Sequence, residues 1–207
     1  MTTLAALAVG CSRVPGVYVY EKDGQGSAAQ GGAADPQSYV AENWVAKIVP
    51  TVHDQATDVV TVAAAIDEDP DAAGEKYGHR AGTTSPYAYM VKGSGTITEI
   101  DTSVPTGPMT VEVPRPGGEP LKLTIATGPV IAGTALRDAV GFIAFGDFTN
   151  QIDYAEVANQ INNQVKTDVI AKVDLDGAEG KKVDFYGAFS ALAPGTIFLV
   201  PTELAVS

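Results

Sequence analysis

The sequence predicts an α+β chain in which an N-terminal helical segment is followed by a five-stranded, OB-like barrel of order β-β-β-α-β-β. Two observations carry this reading. Apolar residues recur at helical spacing up to about residue 80 and alternate with polar ones from residue 87 onward, a change of period from 3.6 to 2 that separates amphipathic helix from half-buried strand. Three alternating runs then precede a second helical stretch and two follow it, which is the order of a small, partly open Greek-key barrel. An open α+β sheet with the same order is the competing architecture.

The elements follow from local chemistry. Between Pro36 and Ile66, Val40, Trp44, Ile48, Val52, Val59, Val62 and Ile66 form one apolar stripe with polar residues between them, as an amphipathic helical region requires. Pro50 has no amide proton to give, so it should kink this region or open a second helix. Asp69-Pro70 pairs a capping carboxylate with a proline fit for the first helical position, opening a short helix that ends by Gly78. Trp44 and Tyr77 read as packing residues. Tyr87 to Asp101, Met109 to Val113 and Leu121 to Ile125 alternate, with Pro/Gly-rich turns between them. Asn150 to about Val173 returns to helical spacing with Ile161, Val165 and Val169 on one face, and Lys182 to Phe189 and Ile197 to Val206 are the last two strands, joined around Ala193-Pro194-Gly195.

Ahead of these elements the chain has a different character. Residues 1–10, MTTLAALAVG, are small and apolar and run directly into the chain's only cysteine, Cys11. A lone cysteine excludes an internal disulfide, and with only His53 and His79 it makes no recognisable metal cluster. Ala8-Val9-Gly10-Cys11 resembles the bacterial lipobox, with the usual leucine displaced to Leu7. On this reading residues 1–10 are the remnant of a signal peptide whose basic start lies upstream, and Cys11 is lipidated. Ten residues are too few for a span, which takes about 20. Residues 11–35 include a short β-like run, Val17 to Tyr20, and then EKDGQGSAAQGGAADP, a tether composition with an r.m.s. reach of roughly 25 Å for about 20 residues. Residues 36–207 form one soluble domain, with a helical part at 36–80 and the β-rich part at 87–207.

Composition limits the partners. The 207 residues are 45% apolar and carry a formal net charge of -12, with Lys and Arg scattered. A core is affordable to such a chain, but nucleic acid is not a fitting partner, because no basic run follows a phosphate backbone. Anionic lipid surfaces repel it too, so membrane attachment rests on the lipid at Cys11. Hydrolase, nucleotide and zinc-protease motifs are missing, and the sequence points to no cofactor and no metal. Asp174-Leu175-Asp176-Gly177 matches only a fragment of a calcium loop and reads as a turn.

The segment from Gly128 to Tyr154 is where chemistry could sit. Arg137 and Asp138 lie among Leu136, Val140, Phe142, Ile143, Phe145 and Phe148, where an unpaired charge is costly, so they should be paired or face a pocket. Asp147 or Asn150 suits the N-cap of the long helix, and Asp153 and Glu156 suit its first turn. Two readings stand side by side. In one, Arg137 pairs with a carboxylate and pins the loop to the barrel, with Gln151 a surface residue. In the other, Arg137, Asp138, Asp147, Asn150, Gln151 and Tyr154 line a ligand pocket at the helix N-terminus for a small anionic or sugar ligand.

The run GPVIAGTALRDAVGFIAFGDFTNQIDYAEVANQIN, with DPDAAGEKYGHR and YMVKGSGTITEID before it and GKKVDFYGAF after it, resembles the predicted periplasmic lipoproteins of domain-of-unknown-function family 2291. The resemblance covers most of the chain from Cys11 onward. It implies export, lipidation and a place on the outer side of the cell membrane, and it carries no assigned catalytic residues. It also implies company with sugar-import systems, so a sugar transporter component is an expected partner. Pro114-Arg115-Pro116-Gly117-Gly118 departs from the Asp/Gly-rich turn of many relatives, so a cation site in that turn is not expected. The functional expectation is a lipid-anchored binding or accessory module. A carboxylate-dependent carbohydrate hydrolase using Asp138 and Asp147, and a purely structural envelope protein, are the alternatives.

Overall fold

A computed structural model describes residues 34–207. The apolar leader, Cys11, the run Val17 to Tyr20 and all but the end of the tether lie outside the described residues. Asp35 caps the first helix, α1 (Pro36–Asn43), accepting the Ser38 amide, with a proline in the first turn. The chain continues through a π-helical turn, Trp44–Ile48, into α2 (Val49–Gln55). Pro50 explains the widened turn: its ring crowds the carbonyl four residues back and it has no N–H to bond. The helical stripe ends later, at Ala56, where Thr57–Asp58 (β1) becomes extended and pairs in parallel with Val91 and Lys92. A two-residue strand has no alternation to read, which is why the sequence suggested helix here. Asp58 then caps α3 (Val59–Glu68) through the Thr61 amide, and Asp69 caps α4 (Pro70–Tyr77) as its sequence predicts. Gly78–His79 (β2) pairs with Ala88 and Tyr89.

The five long strands are β3 (Ala88–Ile100), β4 (Pro108–Val113), β5 (Leu121–Ala126), β6 (Lys182–Ser190) and β7 (Phe198–Val206). Their order is β3-β4-β5-β7-β6, and β6 returns to pair with β3, so the sheet closes. Closure decides between the two architectures: the chain is an OB-type barrel with helices before it. β3 makes closure possible by serving two neighbours. Residues 88–96 pair with β6 and residues 96–100 with β4, around a bulge between Ile97 and Glu99. Gly95 lies at the bend, where a Cβ would stand 2.6 Å from the Glu112 carbonyl oxygen, so no side chain fits. The β5–β7 seam is parallel and brief, joining Thr124 to Phe198 and Ile125 to Leu199.

Alternation along the strands divides the apolar side chains into two cores. Tyr89, Val91, Ile97, Met109, Val111, Leu123, Phe185 and Leu199 fill the barrel, joined by Val59, Val62 and Ala63 of α3. Ala88, Met90, Ala188 and Val200 point the other way, into a layer with Val40, Trp44, Ile48 and Val52 of the first helices. The same layer takes Val157, Ile161 and Val165 of the long helix α6 (Gln151–Asp168). The helix that stands between the third and fourth barrel strands in sequence therefore packs outside the barrel, through Ile161 and Val165 as expected. The plug at the barrel end is α3, where each fully buried valine contributes roughly 1.5–3 kcal/mol.

Candidate functional site

Arg137 and Asp138 lie on a short helix, α5 (Ala135–Ala139), whose Ala135, Leu136 and Ala139 are buried in the outer core. Both charged side chains are about nine-tenths buried, and Arg137 Nε donates to Asp138 Oδ1 at 2.8 Å. Thr134 Oγ1 donates to the other carboxylate oxygen at 2.6 Å. Arg137 Nη1 donates to the Tyr154 carbonyl at 3.1 Å, and the guanidinium lies 3.9 Å from the centroid of the Tyr154 ring. Burial raises the Tyr154 phenol above its ordinary value, with the Arg137 charge opposing. These contacts are what a structural ion pair needs: both charges are matched and the guanidinium has a planar partner. With both oxygens engaged, Asp138 presents no free carboxylate.

The other three residues proposed for this site do different work. Asn150 is the N-cap of α6, its Oδ1 accepting from the Ile152 and Asp153 amides at 2.8 and 2.9 Å. Asp147 Oδ2 accepts the Ala144 amide at 3.0 Å and closes a single 3-10 turn. Gln151 is exposed. The structure thus brings Arg137, Asp138 and Tyr154 together and leaves Asp147, Asn150 and Gln151 as caps and surface. It adds a residue that the sequence did not single out. Asn162, 5% exposed, donates to the carbonyls of Gly133 and Ile131 and ties the preceding loop to α6. Its signal was a lone amide beside Ile161 on the buried face.

A cavity lies elsewhere, at the barrel end that α3 plugs. Its volume is about 270 Å³, and three segments far apart in sequence converge on it: the end of α3, the loop from β4 to β5, and the loop from β6 to β7. Ile66, Leu121, Phe189 and Ile197 give it an apolar floor, while Asp67, Arg115, Glu119 and Lys122 supply charge. Arg115 Nη2 stands 4.0 Å from Asp67 Oδ2, too long for a hydrogen bond, and Arg115 Nε is buried with no partner among the described residues. An apolar floor with a few convergent polar groups is the usual form of a small-molecule site. The cavity has the chemistry to hold a compact ligand and to offer it unspent guanidinium donors.

Fold and cavity together define a small OB-barrel module with an N-terminal helical layer and a recess at one barrel end. The chain belongs to the family described as predicted periplasmic lipoprotein, domain of unknown function 2291, whose model matches residues 4–205. The family gives the protein its location, the periplasm, as a lipoprotein. The described domain is also similar to a crystal structure of an OB-fold protein from Thermotoga maritima, with 25% sequence identity and a TM-score of 0.68, covering 84% of this chain and 99% of that one. No curated protein matches the chain.

Proposed function

We propose that the protein is a lipid-anchored binding module of the bacterial cell envelope, held to the membrane through Cys11 and taking a compact anionic ligand in the barrel-end cavity. The observation that carries the reading is Arg115: a partly exposed guanidinium that lines a recess floored by Ile66, Leu121, Phe189 and Ile197 and stands 4.0 Å from its nearest carboxylate, Asp67, beyond hydrogen-bond reach. A guanidinium whose terminal nitrogens are held by no carboxylate is free to make charge-assisted hydrogen bonds to a carboxylate or phosphate oxygen. The apolar floor suits the carbon face of a small ring, so sugar acids and phosphosugars are the ligand class. A domain placed at the outer face of the membrane suits service to a solute importer, the partner class that the resemblance implies.

Thermal shift with sugar acids, phosphosugars and neutral sugars tests this on the wild type and on Arg115→Ala. An anionic member of the panel should raise the melting temperature of the wild type and leave that of the variant unchanged, while the variant alone melts close to the wild type. Shifts of equal size in both proteins, or no shift with any compound, reject the cavity as the site.

A further inference from the structure

Arg115 faces one carboxylate across the barrel-end cavity, and both groups are carried by stiff backbone. Pro114 and Pro116 flank Arg115 in the turn from β4 to β5, which restricts the chain on either side of it. Asp67 stands in the last turn of α3, and its side chain is the more exposed of the two. Arg115 Nη2 and Asp67 Oδ2 are 4.0 Å apart, and neither residue has another ion-pair partner among the described residues. The pair is aligned but not closed by a hydrogen bond. α3 itself gains nothing from a carboxylate here, because the carbonyl end of a helix already carries partial negative charge. What Asp67 does is line the recess beside Arg115.

An anion that hydrogen-bonds to Arg115 comes to rest next to Asp67, where it meets a like charge. Glu119 and Lys122 line the same recess, one of each sign, so no surplus of positive charge outweighs that repulsion. Two chemistries respond to it differently. A phosphate monoester carries about 1.5–2 negative charges at neutral pH and offers acceptor oxygens, so Asp67 repels it. A carboxylate with a hydroxyl on the adjacent carbon brings a single charge and a donor. One carboxylate oxygen accepts from Arg115 Nη2 while the hydroxyl donates to Asp67 Oδ2, and two hydrogen bonds of about 2.7–2.9 Å close a gap too long for one.

On the reading of this cavity as an anion site, we propose that Asp67 determines its specificity and that the ligand is a 2-hydroxy carboxylate, held by its carboxylate on Arg115 and by its 2-hydroxyl on Asp67. Among sugar derivatives this selects aldonic acids over phosphosugars.

The test is calorimetric titration of the full chain with gluconate, 2-deoxygluconate and glucose 6-phosphate at matched ionic strength. Gluconate should bind at one site and at least about tenfold more tightly than either other compound, the effect of one hydrogen bond to a charged group. Asp67→Ala should weaken gluconate and strengthen the other two, so that the three affinities converge, with the melting temperature of the unliganded variant unchanged. Arg115→Ala should abolish gluconate binding. If 2-deoxygluconate or glucose 6-phosphate binds the wild type as tightly as gluconate and loses that binding in Arg115→Ala, the anion site stands and the role of Asp67 is overturned. A preference for gluconate that survives Asp67→Ala overturns it as well. No binding of any of the three compounds, or binding indifferent to Arg115→Ala, overturns the anion site together with the specificity built on it.

Discussion

At the scale of single residues, the Arg137–Asp138 pair shows how a sequence can reveal that a charge is matched without revealing its purpose. Two adjacent charges inside an apolar run had to find partners, and they found one another together with Thr134 and the Tyr154 carbonyl. Arg137→Ala leaves the Asp138 carboxylate buried with only a hydroxyl against it, and should destabilise the domain by about 3–5 kcal/mol, measured by denaturant unfolding. A variant that unfolds at the wild-type midpoint would mean that solvent reaches Asp138. Arg115 is the contrasting residue. Its neighbours in sequence, Pro114 and Pro116, say turn and nothing more, and its importance arises only when α3 and the β6–β7 loop are brought against it.

At the scale of elements, legibility followed from how many residues repeat a signal. β4 and β5 were readable because each alternates over six residues with one face in the barrel core, and β3, β6 and β7 because they are long, although each buries both faces over part of its length, one in the barrel and one in the outer layer. β1 and β2, two residues each, carry no period, and their pairing depends on where β3 passes. The caps at Asp69 and Asn150 were readable because capping is local chemistry. Which helix plugs the barrel was not, since Val59 and Val62 continue the stripe of Trp44 and Ile48 and only the break at Ala56 turns them toward a different core. α6 offers the clean test of the outer layer. Ile161 is fully buried there, and Ile161→Asp should cost several kcal/mol through lost apolar contact and a buried charge, read as a fall in melting temperature. An unchanged melting temperature would place this face of α6 in solvent.

At the scale of the whole molecule, the 174 described residues follow an N-terminal sequence whose small apolar residues run into the chain's single cysteine. Lasting attachment takes two acyl chains at about 0.8 kcal/mol per buried CH₂, which a bare thiol or hydroxyl cannot replace. Cys11→Ser expressed in a bacterial host should therefore move the protein from the membrane fraction to the soluble periplasmic fraction, with the melting temperature of the domain unchanged. Retention in the membrane fraction would show a second attachment. A lipid anchor at Cys11 would have a further effect, because it would confine many copies to a surface and raise the rate at which they collide. In such a crowd any long strand with a bare edge is a template for self-association. The barrel closes on itself, but its β5–β7 seam joins only two residue pairs, so among the described residues β5 before Thr124 and β7 beyond Leu199 have no neighbour across it. The β7 stretch contains Pro201, which has no amide to offer, is bulged at Thr202 and carries Glu203, three devices that disrupt strand addition. The β7 side of this short seam is thus a poor template for strand addition by a neighbouring copy.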